Sequence, residues 1–260
     1  MEAPAALLFA IFFITGKSAD TLTAAIFLIM WEAHYLHRSF IYPLRFRDNT
    51  KKMPVIIAGM AFFFNVVNAY LNGRYLFDLS GGYSPEWLGG PRFLIGCVLF
   101  IIGMIINQQA DGVLRRLRKQ GESVYRIPRG GLYRWISCPN YFGEILEWSG
   151  WAIATWSPAG LSFAVWTIAV LLPRARSHHI WYRSHFSDYP PAGRFSSPVF
   201  GRGRFHPSDF LPDGGKKPKF FRFFLKWCFH PSVIYAIYYS IYFKSVQSRL
   251  NWPLFFSNFK

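Results

Sequence analysis

The sequence predicts an all-α, polytopic transmembrane helical bundle. Three observations lead to that expectation. Of 260 residues, 52% are hydrophobic and 20% aromatic, and only 16% are charged, against about 25% in soluble domains. Apolar runs recur along the chain at or near the roughly 20 residues a helix needs to cross a bilayer. The basic residues gather in alternate loops between those runs. The same composition excludes disorder, collagen and a coiled coil.

Taken in order, the run at 3–16 is short for a span, whereas 21–42 and 53–70 are long enough. A loop rich in Gly and Pro, 80–91, leads to the run 93–106. Residues 107–139 are polar and hold no spanning run. Runs 142–156 and 160–172 read as a helical hairpin broken at Ser157-Pro158, where proline stops the first helix. About six spans are expected, with no internal repeat.

The loops set the orientation. Arg45, Arg47, Lys51 and Lys52 follow the second run. Arg115, Arg116, Arg118, Lys119, Arg126, Arg129 and Arg134 follow the fourth, and Arg174, Arg176 and Arg183 follow the sixth. Two spans separate each basic loop from the next, so all three share the cytoplasmic side. The opposite loops, near Lys17, Gly81 and Ser157, are poor in Lys and Arg. The formal net charge of +16 then faces an anionic leaflet and an anionic ligand rather than nucleic acid. Cys97, Cys138 and Cys228 are too sparse for a disulfide framework. The apolar start has no basic flank or small-residue cleavage site of a signal peptide.

The organisation expected is a membrane-embedded domain, 1–190, and a basic aromatic tail, 191–260. Residues 190–260 carry eleven Lys and Arg against Asp209 and Asp213. Their aromatic run, 220–243, is interrupted by Arg222, Lys226 and His230. It reads equally as one more span or as an interfacial helix.

Ionisable residues at membrane depth are costly and are functional candidates by default. Four helical faces hold them: Asn140, Glu144, Glu147, Trp148 and Trp151; Asn107, Asp111 and Arg118; Arg174, His178 and Tyr182; Tyr35, Arg38 and Tyr42. Taken singly, each is accounted for by interhelical hydrogen bonding. Together, at the cytoplasmic ends of their helices, they predict one shared polar cavity. Arg, Asn, Tyr and His with few carboxylates suit phosphate groups. There is no Gly-x-Gly-x-x-Gly turn and no Walker loop, so a nucleotide would be held by side chains of the bundle. Glu2 and Tyr35 lie 16 and 17 residues either side of Ser18. That puts them at similar depth on antiparallel helices. A carboxyl beside a phenol can polarise a carbonyl oxygen, with Glu32 a rival acid. A metal site of His34, His37, His178 and His179 with Glu144 and Glu147 has too few histidines for a membrane di-iron enzyme, so no metal is expected.

Several strings resemble those of the steroid 5α-reductases. They include His34-Tyr35-Leu36-His37-Arg38-Ser39-Phe40-Ile41-Tyr42, Pro91-Arg92-Phe93-Leu94-Ile95-Gly96 and Gly103-Met104-Ile105-Ile106-Asn107. Further on come Leu114-Arg115-Arg116-Leu117-Arg118-Lys119, Tyr125-Arg126-Ile127-Pro128-Arg129-Gly130-Gly131-Leu132 and Asn140-Tyr141-Phe142-Gly143-Glu144-Ile145-Leu146-Glu147-Trp148. Ala154-Thr155-Trp156-Ser157, Arg174-Ala175, His178-His179 and Phe186-Ser187-Asp188-Tyr189-Pro190 complete the set, which covers nearly all of 1–190.

The resemblance implies a seven-helix membrane enzyme that reduces the 4,5 double bond of 3-oxo-Δ4-steroids to 5α-dihydrosteroids with NADPH. It implies that Glu2 and Tyr35 hold the C3 carbonyl. It assigns cofactor contacts to Asn107, Asp111, Arg118, Tyr125, Arg126, Asn140, Glu144, His178 and Tyr182, and pocket positions to Tyr42 and Trp148. Asn68 and Asn72 receive no role. The family has a helix and part of a second before the glutamate, and here Met1 adjoins it, so either the start is truncated or the bundle works without the first family helix. The tail and an insertion at 48–53 also depart from the family, and its phosphate-binding arginine there is not carried over. A monomer is expected, in the endoplasmic reticulum if eukaryotic or the inner membrane if bacterial, with the cofactor site facing the cytoplasm. The partners expected are the steroid and membrane lipid. Two alternatives stand: a membrane methyltransferase of the isoprenylcysteine type, which residues 140–189 also resemble, and an inactive truncated paralogue.

Overall fold

The computed structural model describes residues 2–45, 54–117, 126–187 and 189. Every regular element among them is helical. Helix α1, Ala3–Thr15, has Pro4 in its first turn, where a missing N–H costs nothing. Helix α2, Leu22–Leu36, begins at Thr21, whose hydroxyl accepts the Ala24 N–H at 3.1 Å. It runs on as a π-helix, His37–Ile41, and a short turn, α3, Tyr42–Leu44. Proline causes the widening. Pro43 has no N–H to give the Ser39 carbonyl and its ring crowds that carbonyl. The Tyr42 N–H accordingly reaches back to the His37 carbonyl, a π-bulge of the kind common at functional sites.

Helix α4, Val55–Arg74, also ends in a π-turn, Tyr75–Leu79. A 3-10 helix, Pro85–Gly89, leads into α5, Pro91–Leu117. Gly130 (φ 102°) and Gly131 (φ 52°) make a turn that a side chain would strain. It opens a second 3-10 helix, Gly131–Arg134. Helix α6, Pro139–Thr155, and α7, Pro158–His185, form the expected hairpin. Trp156 turns the chain in the left-handed region (φ 44°), and Ser157 caps α7 by accepting the Gly160 N–H at 2.9 Å. Among the described residues, three helices are long and apolar enough to cross a membrane: Val55–Leu79, Pro91–Leu117 and Pro158–His185.

Two of these outrun their apolar stretches. The run ending at 106 continues as helix to Leu117, and that ending at 172 continues to His185. In α5 the buried face goes on as Asn107, Ala110 and Asp111, whose polar atoms find partners on neighbouring helices (below). Arg115 and Arg116 then complement the helix C-terminus. In α7 the chain passes Pro173 without breaking, as helices in membranes tolerate.

Glycines bring α5 and α6 together. A methyl on Gly96 would sit 2.3 Å from the Ala154 nitrogen, and one on Gly103 2.3 Å from the Glu147 nitrogen. From the other side, Gly143 and Gly150 meet the nitrogens of Asn107 and Phe100 at 2.6 and 2.4 Å. The glycines recur every seven residues on both helices, so two antiparallel backbones touch along one seam. Gly73 and Gly16 meet Phe12 and Phe77 in the same way, which sets α1 and α4 running in one direction.

The core is aromatic. Phe9 stacks on Trp31 with centroids 4.4 Å apart, and Phe27, Phe100, Trp148, Trp151 and Phe163 pack around them. At the end opposite the basic loops, Tyr83 and Trp87 donate to the Thr155 and Ala154 carbonyls. These are among the carbonyls α6 leaves unpaired at its C-terminus.

Candidate active site

At the basic end, the start of α1, the π-bulge after α2, the polar half of α5 and the first turns of α6 converge. Arg38 is the hub. Its Nη1 donates to Asp111 Oδ2 at 3.0 Å, and its Nε lies 3.4 Å from Glu2 Oε2. Its guanidinium also covers the Tyr42 ring at 4.7 Å. Asn107 Nδ2 donates to the Asn140 carbonyl at 3.0 Å, and the Asn140 side chain hydrogen-bonds Asp111. Glu144 is half-buried one turn further along α6. The structure therefore brings Glu2, Tyr42, Asn107, Asp111, Asn140 and Glu144 into one neighbourhood.

Tyr35 lies deeper, 3% exposed. Its ring packs against Trp31 and Trp148, with centroids 4.8 and 5.7 Å away. Its hydroxyl accepts a hydrogen bond from Asn68 Nδ2 at 3.1 Å. Glu2 is near enough to act on it electrostatically. Beside it, His34 Nδ1 is 2.8 Å from Glu147 Oε1, a pair sealed from solvent. His34, considered above as a metal ligand, is thus occupied by a carboxylate.

A second group surrounds a cavity of about 390 Å³ lined by Arg129, Tyr133, Arg134, Ser137, His179, Tyr182 and Tyr189 among others. Tyr182 and Tyr189 stack with rings 10° from parallel. Ser137 Oγ is 2.8 Å from His179 Nδ1 and accepts from the Tyr189 hydroxyl at 2.8 Å. Burial pushes the Cys138 thiol up to about 12 and raises the Tyr133 phenol as well, so both stay protonated at neutral pH. Of the residues expected at the cofactor, Tyr182 lines this cavity. His178 is exposed, with Tyr141 6.0 Å away, and its neighbour His179 faces the cavity instead. Arg126 is exposed. Arg118, Tyr125 and the tail 191–260 lie outside the described residues.

His37 Nε2 and Ser39 Oγ are buried at this end with no hydrogen-bond partner among the described residues. Unpaired buried groups of this kind mark a place for a ligand. With the guanidinium of Arg38, the amides of Asn107 and Asn140, and the Arg-edged aromatic cavity, they suit a phosphate-bearing dinucleotide with a planar base.

The sequence reading put Arg38 and Glu147 on faces of the expected polar cavity without assigning either a role, weighed His34 only as a metal ligand, and gave Asn68 and Asn72 no role. The signal for the asparagines was present. Asn65, Asn68 and Asn72 recur at helical spacing in an otherwise apolar stretch and are all buried.

The sequence signature of the family described as 3-oxo-5-alpha-steroid 4-dehydrogenase matches residues 51–200. The chain is 50% identical over 165 residues to 3-oxo-5-alpha-steroid 4-dehydrogenase 1 of Bos taurus, covering 64% of this chain and 63% of that one. It is 43% identical over 197 residues to steroid 5-alpha-reductase DET2 of Gossypium hirsutum, covering 75% and 76%. To the Homo sapiens 3-oxo-5-alpha-steroid 4-dehydrogenase 1 it is 46% identical over 178 residues, covering 67% and 68%. These matches set aside the methyltransferase alternative. On this evidence the chain belongs to the 3-oxo-5-alpha-steroid 4-dehydrogenase family.

Proposed function

We propose that this chain is a multi-pass membrane enzyme that reduces the 4,5 double bond of 3-oxo-Δ4-steroids to the 5α-dihydro products, with NADPH as reductant. The observation that supports it most is the buried Tyr35 hydroxyl, beside a Glu2–Arg38–Asp111 cluster at the basic end of the bundle. About six membrane-crossing helices and a cytoplasmic cofactor site follow from the alternation of basic loops.

The reduced nicotinamide, when bound, supplies the hydride. The residues here do the rest. An enone accepts hydride at C5 only as its carbonyl oxygen gains negative charge. A preorganised donor aimed at that oxygen stabilises the developing enolate. Tyr35 is that donor, since a phenol of ordinary pKa near 10 keeps its proton at neutral pH. Glu2, tied to Arg38, braces the same end of the pocket. The cage of Trp31 and Trp148 keeps water from the phenol. Asn107, Asp111, Asn140 and Arg38 hold the dinucleotide. The Arg-edged cavity beside Tyr182 takes phosphate and base, and the 2′-phosphate of NADPH finds its partners among the arginines.

The test is direct. Purified protein in detergent, given NADPH and a 3-oxo-Δ4-steroid, forms the 5α-dihydrosteroid and uses NADH far less well. No 5α-reduced product, or equal use of both cofactors, would overturn the proposal in its substrate or its cofactor respectively.

A further inference from the structure

Four side chains on three helices form one buried line. Trp151 Nε1 donates to Asn72 Oδ1 at 3.0 Å. Asn72 Nδ2 donates to Asn68 Oδ1 at 3.0 Å and to the Asn68 carbonyl at 3.1 Å. Asn68 Nδ2 donates to the Tyr35 hydroxyl at 3.1 Å. Asn72 and Trp151 are fully enclosed, and Asn68 is 5% exposed.

The direction of this line is set at its far end. An indole N–H can only donate, so Asn72 must present its oxygen to Trp151. Its NH₂ then faces Asn68, which must present its own oxygen in return. That leaves the NH₂ of Asn68, and nothing else, for Tyr35. Reversing Asn68 would set two NH₂ groups against each other in a site closed to bulk solvent. The phenol oxygen therefore accepts, and its proton is left to point elsewhere. A hydroxyl that accepts one hydrogen bond also becomes a stronger donor in the next.

We infer that Asn68 and Asn72, oriented by Trp151, are positioning residues. They hold the Tyr35 hydroxyl so that its proton is reserved for the substrate carbonyl rather than consumed by the protein. The inference rests on the reading of Tyr35 as the donor to the C3 oxygen. It adds a reason for three asparagine and tryptophan side chains that would otherwise be costly so deep in an apolar bundle. Without them the phenol could donate to a neighbouring carboxylate or carbonyl and be lost to catalysis.

The experiment uses the full chain in detergent, as wild type, Asn68→Leu, Asn72→Leu and Trp151→Phe, each with and without Tyr35→Phe. Asn68→Leu lowers kcat about 10- to 100-fold, the scale for a misplaced catalytic group, with both KM values nearly unchanged. Trp151→Phe keeps an aromatic ring in place while removing the indole N–H and some ring volume, so it serves where a leucine variant fails to fold. It lowers kcat several-fold. In the Tyr35→Phe background neither change lowers the residual rate further. Isotope-edited infrared spectroscopy gives a readout without turnover. The phenol C–O band that disappears in Tyr35→Phe shifts in Asn68→Leu and again in Asn72→Leu. An unmoved band, or equal losses of rate with and without the tyrosine hydroxyl, overturns the relay. An inactive wild type overturns the steroid reading alone, and the band still decides the relay.

Discussion

Arg38, in the bulge after α2, ties the N-cap residue of α1 to the polar turn of α5. Asp111 is 6% exposed, so losing its guanidinium partner leaves a buried carboxylate with the Asn140 amide and the charge of Arg115 as its remaining support. Arg38→Met is expected to destabilise the protein by about 3 kcal/mol, as for other broken buried pairs. The Arg38→Met/Asp111→Asn double variant recovers part of that loss, because it removes the stranded charge as well. Thermal unfolding in detergent measures both, and a double variant as weak as the sum of the singles would argue against the pair. At this scale the sequence was only partly legible. Unusual residue types at membrane depth pointed to Tyr35, Asn107, Asp111 and Asn140. Which of them touch depends on how helices far apart in sequence face each other, and helical spacing within one element is silent on that. Asn68 and Tyr35 are 33 residues apart, and His34 and Glu147 are 113 apart.

The α5–α6 seam is the element on which the cofactor neighbourhood depends. Its glycines at 96, 103, 143 and 150 let Asn107 and Asp111 stand opposite Asn140. A Cβ at Gly150 would meet the Phe100 nitrogen at 2.4 Å, a clash with backbone that no rotamer change relieves. Gly150→Ala is expected to cost about 1–3 kcal/mol, the range for overpacking. That lowers Tm by several degrees. Gly59→Ala is the control. Nothing lies within 4 Å of its Cβ, and alanine is the better helix former, so Tm stays or rises slightly. Equal losses at both positions would contradict a contact seam. Helix existence was readable from the apolar runs, while helix ends were not. A hydropathy run stops at the first polar residue, yet α5 continues because Asn107 and Asp111 are partnered inside the bundle, and α7 runs on as helix to His185.

For the whole molecule, the alternation of charge among loops is the strongest statement the sequence makes. It needs no knowledge of packing, only of which loops carry Arg and Lys. The structure puts Glu2, Arg38, Asp111, Asn140 and His179 at the same end by independent contacts. The tail carries none of the strings that resemble the family, and its basic, aromatic composition suits a surface rather than a pocket. Removing residues 201–260 is therefore expected to leave steroid reduction intact in membranes, with product formed per folded protein within about twofold of the full chain, since it deletes no group placed at the reacting atoms. Loss of activity in a shortened protein that is still inserted would put the tail in the site. The central claim is that a buried phenol polarises the steroid carbonyl, and one comparison tests it most directly. Wild type and Tyr35→Phe are assayed side by side for 5α-dihydrosteroid at saturating NADPH and steroid. The account predicts a kcat lower by about 10²–10³ in the variant, with cofactor binding retained. A Tyr35→Phe enzyme as fast as wild type would contradict it.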